Sequence, residues 1–466
     1  MKFLDRIDEM RRLDGTLRRP GLFAVIWGRR RVGKSRLLIE WSRRHGGLYT
    51  VADQSASTVQ RRYLAAAVAE RFPGFADVEY PDWHSLLARL AAEADRIGWR
   101  GPFVMDELPH LIAADPGIAG VLQNWLDRPE RRLCVVVSGS SLHMMHGAIL
   151  DAGAPLYGRA SEAFAVRPLK PGFLSEIFAV DEARDLVSMY ALWGGMPRYW
   201  ELAEPFERDL EAAVDALVLD PAGPLHGEPD RLLLEETPPA TALRPLLDTI
   251  GAGVHRVSEI AGRLGRPASS LSRPLASLVE MQFVRREIPF GSSPRSSKRS
   301  LYRIDDPFMR LWFRVVAPHR AALAEAPRET RLHYWRRHRP GLEAQAWEEL
   351  CRMAVPMLHR ADIPLARFGP FEPARRYWHG NRPELDVVAL SVDGGQLLIG
   401  EAKWRMKADA GWMPAPRAHI NALPGAAKAK AVHTLFLPDA AAGTAAEIDA
   451  ANVNVVDART VMEVLR

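Results

Sequence analysis

An apolar strand that runs straight into a glycine loop and then a helix leaves a chain few folds to choose from, and FAVIWGRRRVGKSRLLIEW (23–41) is such a run. Gly28-x-x-x-x-Gly33-Lys34-Ser35 meets the phosphate-binding loop pattern in full. Glycines let backbone N–H groups curl around phosphate oxygens, and the start of the following helix adds partial positive charge. In this pattern Lys34 reaches the β and γ phosphates and Ser35 ligates Mg²⁺. The nucleotide-binding stretch is Gly28, Arg29, Arg30, Arg31, Val32, Gly33, Lys34, Ser35 and Arg36. Three successive arginines in the loop either add cations near the phosphates or face solvent.

Further apolar runs place that loop in a sheet. LYTVA (48–52), GPFVMDEL (101–108) and RRLCVVVSGSS (131–141) read as strands, and DWHSLLARLAAEADRIG (82–98) as a helix. Continuous apolar strands alternating with helices predict a parallel sheet covered on both faces. Asp106 ends one strand where it can hold Mg²⁺ through water, and Glu107 beside it can orient or deprotonate the attacking water. Ser138 stands either as a polar sensor of the γ phosphate or as a strand-end cap. Arg159 in LYGRASEAF is either an arginine finger or a solvated surface arginine.

The order FLDRIDEMRRL, GRRRVGKS, FVMDELPHL, VVVSGSSLHMM, LYGRASEAF and GGMPRYW resembles the archaeal-type ATPases, a branch of the STAND group of P-loop NTPases related to the AAA+ enzymes. The resemblance implies ATP binding with Mg²⁺, slow hydrolysis and a switch role. It also implies that Arg6 and Glu9 lie at the adenine side and that Pro197 contacts nucleotide from a helical lid.

At 466 residues the chain calls for several domains. The sequence predicts an ATPase core at 1–165, a helical lid at 166–235, a winged helix at 236–317 and a further α/β domain at 325–466. In the third piece VSEIAGRLG and SSLSRPLASLVEMQ form a helix-turn-helix, with FVRREIPF and SLYRID as wing strands and basic GSSPRSSKRS (291–300) as the tip. Pro274 is tolerated only near a first turn. Such a module either contacts DNA or RNA or packs on the ATPase as a structural element. A net charge of +5 permits a polyanion partner, although an arginine-rich coding bias accounts for much of it.

In the last piece, ELDVVAL places Asp386 on one strand and QLLIGEAKW places Glu401 and Lys403 on one face of the next. With Glu348 from the preceding helix, these carboxylates can bind Mg²⁺, and Lys403 can position a water. The spacing resembles the PD-(D/E)XK nuclease superfamily and the domain of unknown function that accompanies archaeal-type ATPases, which implies a restriction-endonuclease-like fold. An inert, salt-bridged strand pair is the other reading. No apolar run is long enough to cross a membrane, and with charges where a signal peptide needs apolar residues and two cysteines, a cytoplasmic location is expected. The reading is an ATP-binding and ATP-hydrolysing switch coupled to a nuclease-like domain, with oligomerisation left open. The alternatives are a DNA-binding regulator or an assembly scaffold.

Overall fold

The computed structural model describes the chain except for residues 129–131, 141–144, 146, 148, 150, 237–242, 294, 296–298, 380–383, 406–422, 424–427 and 440–452. The N-terminal sheet is built from β1 (Phe23–Trp27), β2 (Leu48–Val51), β3 (Phe103–Asp106), β4 (Val135–Gly139) and β5 (Glu162–Ala165). All pair in parallel in the order β2-β3-β4-β1-β5. Side chains alternate across a strand, and here both faces are apolar. Phe23, Val25, Phe103, Met105 and Val137 enter one core. Ala24, Ile26, Val104 and Val136 enter the other. The helix Lys34–Arg44 follows β1, and Trp83–Arg96 starts at Asp82, whose side chain accepts from the Ser85 N–H.

The second core continues out of the N-terminal sheet into the rest of the chain, taking in Trp193, Trp200, Trp312, Trp335, Trp347 and Val387. Helix Ala183–Trp193, buried at every position from Leu186 on, packs on the helix Arg328–Ala354. That long helix carries Pro340 internally. Shared packing of this extent lets a displacement at one end be felt at the other.

Helices Val257–Leu264 and Ser272–Glu280 form the helix-turn-helix. Gly265 ends the first at φ 61°, and Pro274 falls in the first turn of the second. The wing is the antiparallel pair β6 (Val284–Glu287) and β7 (Leu301–Ile304); part of the 291–300 tip lies outside the described residues. The C-terminal sheet joins β8 (Arg375–Tyr377), β9 (Leu385–Leu390), β10 (Gln396–Ala402), β11 (Lys430–Leu437) and β12 (Asn454–Asp457) in the order β12-β11-β10-β9-β8. β8 to β10 are antiparallel and β10 to β12 parallel, a mixed sheet.

The base of the wing is pH-sensitive. His255 Nδ1 lies 3.0 Å from the Tyr302 carbonyl. Burial, helped by the Arg303 charge, lowers the imidazole from 6.5 to about 4. Between those values the unfolded chain takes up a proton that the folded one refuses, so this stability is complete above pH 6.5 and falls as pH drops towards 4. Glu287 adds to the loss only below 4.5, since Arg285 and Arg303 overcome its burial and hold it at about 2. Melting is expected to show a loss of up to about 3 kcal/mol across the histidine window. His255→Gln should flatten that window, and an unchanged slope in this variant would acquit His255.

Candidate functional site

The loop after β1 is shaped by backbone strain that glycine relieves. Gly28 has φ 150°, and a Cβ there would stand 2.7 Å from the Val166 carbonyl oxygen. Gly33, at φ 92°, caps the helix that begins with Lys34. Lys34 is buried, and its Nζ donates to the carbonyls of Gly28 (2.8 Å) and Arg29 (3.3 Å). A cavity of about 360 Å³ opens over the loop, lined among others by Arg30, Lys34, Ser35, Glu107, Ser140 and Pro197. Gly33 and Arg36 also border it. Val32 is buried beneath the loop and does not line the cavity.

The end of β3 supplies the acids. Asp106 is fully buried and accepts from the Tyr49 hydroxyl at 2.6 Å and from Ser138 Oγ. Burial first, and then the Asp106 charge, push the Tyr49 hydroxyl above its ordinary pKa, so it remains a donor. Glu107 adopts φ 55°. Its carboxylate accepts from the Ser140 N–H (3.1 Å) and Oγ (2.6 Å) at the cavity wall. The hydroxyl of Ser35 and the carboxylate of Asp106 are the hard oxygen donors Mg²⁺ selects, so these residues fit that ion.

Three expectations change here. Ser138, read as a sensor of the γ phosphate, is fully buried on Asp106 and does not line the cavity; Ser140 does. Arg159 does not line it either: its guanidinium makes two 2.8 Å bonds to the Asp127 carboxylate. Arg6 is buried and braces the loop, donating to the carbonyls of Val32 (2.7 Å) and Arg167 (2.9 Å) and to Glu9 (2.9 Å). Arg6 and Glu9 line a different, larger cavity.

The loop arginines divide. Arg30 lines the phosphate-side cavity. Arg29 turns away, pairs with buried Asp306 at 3.1 Å and lies over the Phe283 ring. Arg31, at φ 68°, pairs through Nε with Glu228, which is fully buried. Asp306 also caps the helix Pro307–Leu311, accepting from the Phe308 N–H at 2.8 Å. Two of the three arginines therefore tie the loop to segments about 200 and 277 residues further along the chain, although Arg31, half-buried, also borders the phosphate-side cavity.

The C-terminal acids do not assemble as expected. Glu401 Oε2 pairs with Lys403 Nζ at 2.9 Å. Asp386 accepts from the Ala402 N–H at 3.2 Å, and burial, followed by the charge of Glu348, raises its carboxyl. Glu348 faces Arg352 (3.6 Å) and Arg376 (3.9 Å). Among the described residues no three His, Cys, Asp or Glu side chains converge to hold a metal. The expected Mg²⁺ set of Glu348, Asp386 and Glu401 is thus not formed, because neighbouring cations already neutralise two of its members.

Family models match three stretches of the chain. Residues 3–202 match an ATPase domain predominantly from Archaea, 234–287 the IclR helix-turn-helix domain, and 312–412 DUF234, a domain of archaeal and bacterial proteins of unknown function. An uncharacterized protein of Methanocaldococcus jannaschii is 28% identical over 412 residues, which span 86% of this chain and 88% of that protein. Among solved structures, the Aeropyrum pernix ORC1 protein in complex with DNA is 16% identical with a TM-score of 0.32, covering 69% of this chain and 95% of that one. The ORC2 protein of the same organism, in ADPNP–ADP complexes, is 14% identical with a TM-score of 0.38, covering 72% of this chain and 92% of that one. Among the described residues no helix is long and apolar enough to cross a membrane.

Proposed function

We propose that this chain, which joins an archaeal-type ATPase domain to an IclR-type winged helix and a DUF234 domain, is an ATP-binding and ATP-hydrolysing switch that acts on DNA. The observation that carries the reading is the convergence of Lys34, Ser35, Glu107 and Pro197 on one cavity over a loop tethered to the later domains. In this reading the loop N–H groups and Lys34 bind the triphosphate. Ser35 and Asp106 would hold Mg²⁺, which would supply charge neutralisation on the phosphates. Glu107, held by Ser140, orients the attacking water and takes its proton. Pro197, at the start of the helix Pro197–Ala203, contacts nucleotide from the lid. In this reading the units are taken to be 1–165, 166–235, 236–317 and 325–466.

Support for coupling comes from Arg29 and Arg31, whose backbones shape the loop while their side chains hold Asp306 and Glu228. Support for duplex DNA comes from the helix Ser272–Glu280, where Ser272 and Arg273 are exposed alongside Arg263 at the end of the preceding helix and Arg266 of the turn. The DUF234 domain, with its acids in ion pairs, serves contacts rather than metal-dependent cleavage in this account.

The test is equilibrium binding of a fluorescent ATP analogue with Mg²⁺, followed by melting. Ligand at about 100 times its Kd should stabilise the chain by about 2.7 kcal/mol. No affinity and no shift in melting would end the ATPase reading.

A further inference from the structure

A cavity of about 1370 Å³ shares no lining residue with the cavity over the phosphate loop. Its walls come from the N-terminal segment, the stretch after β5, the wing strand β6 and the DUF234 domain. Basic side chains outnumber acidic ones in it. The acids are already matched: Glu9 by Arg6, Asp306 by Arg29, Asp5 by Lys170, Asp8 by Arg11, and Glu287, Asp305 and Glu349 by Arg285. Arg167, Arg360 and Arg375, by contrast, are exposed and have no acidic partner among the described residues. They come from three separate parts of the chain: the segment after β5, the end of the turn Val355–Arg360, and β8.

We propose that this interdomain cavity binds a short stretch of single-stranded nucleic acid through its phosphates, held by Arg167, Arg360 and Arg375. Guanidinium groups present planar forks that match phosphate oxygens, and unmatched guanidiniums gathered in one concavity concentrate an attractive potential. The volume exceeds the roughly 300–1,000 Å³ of small-molecule pockets, which suits a strand better than a mononucleotide. The back wall is crowded with cations. Burial first, with Arg285 and Arg376 nearby, depresses the Arg352 guanidinium despite Glu348 and Glu287. A polyanion in the cavity relieves that repulsion. β6 also belongs to the winged helix, so a strand held here is continuous with the module proposed to meet the duplex. Arg29, itself a residue of the phosphate loop, lines the cavity while its carbonyl holds Lys34, which places the strand beside that loop. The proposal does not rest on the ATPase reading.

The experiment titrates the full-length chain against a fluorescein-labelled oligothymidylate of roughly twelve nucleotides, a length typical of single-strand sites, at several salt concentrations. The combined variant Arg167→Glu, Arg360→Glu, Arg375→Glu should bind at least tenfold more weakly. Its log–log salt slope should shrink by roughly 2, at about 0.7 per lost phosphate contact. Lysines at the same three positions should keep the slope, which separates lost charge from lost folding. Arg266→Ala with Arg273→Ala should weaken duplex binding and leave the single strand untouched. Inorganic tripolyphosphate should compete only weakly; displacement at matched phosphate concentration would make the ligand a free polyphosphate and overturn the assignment. Unchanged affinity in the glutamate variant would overturn it, as would parallel loss of both ligands in the helix-turn-helix variant.

Discussion

Lys34→Ala in the full-length chain is expected to cut ATP turnover by roughly 10²–10³-fold, the loss typical of removing one charge-stabilising donor, and to weaken nucleotide binding with it. Glu107→Gln is expected to separate the two effects. It keeps a side chain of the same shape that Ser140 can hold, but removes the base, so turnover falls by roughly 10²–10⁴-fold while the ATP analogue still binds. Phosphate release and analogue binding, measured on both variants, make the comparison. Removing the Lys34 ammonium also strips a partner from the carbonyls of Gly28 and Arg29, a cost of about 1–3 kcal/mol. Melting curves therefore accompany the rates. Parent-like turnover in Lys34→Ala would place hydrolysis elsewhere. In Glu107→Gln it would leave Glu107 a mere partner of Ser140.

What sequence alone could reach divides along the distance between partners. The phosphate loop, the acids ending β3 and the helix-turn-helix were legible because strand, turn and helix signals are local. The chain lacked any local cue for Tyr49, which reaches Asp106 diagonally across the β2–β3 register, where Tyr49 pairs with Val104 and Val51 with Asp106. Ser138 and Ser140 look alike in SGS, yet only the position beyond β4 reaches the cavity. The adjacent small polar residues were the available signal. The roles of Arg29 and Arg31 were hidden because their partners lie far along a chain in which arginine is common. In the DUF234 domain, strand alternation correctly put Asp386 and Glu401 on neighbouring strands, one step beyond the Gly400–Val387 pair. It was blind to Arg352 and Arg376, which come from a helix and from β8 and which draw Glu348 into ion pairs.

Arg31→Ala is expected to be the most destabilising change at the phosphate loop, although it removes no group that touches the β3 acids. Glu228 is fully buried, and Arg31 supplies its close cationic partner, with Arg231 more distant at 3.6 Å. Taking away one member of a buried pair strands the other charge in a poor solvent, at a cost of about 3–5 kcal/mol. Arg231 offsets part of that, so the lower end of the range is expected. The neutral replacement Glu228→Gln leaves no charge to strand and should be milder. In the double variant it should recover most of what Arg31→Ala loses, which a double-mutant cycle by denaturant unfolding measures directly. The same cycle reads the proposed coupling, because a loop freed from Glu228 can no longer pass its position to the lid. ATP should then shift DNA affinity less in Arg31→Ala than the roughly 5–150-fold usual for coupled sites. A loss below about 1 kcal/mol, the worth of an exposed ion pair, would mean the contact is solvated and transmits nothing.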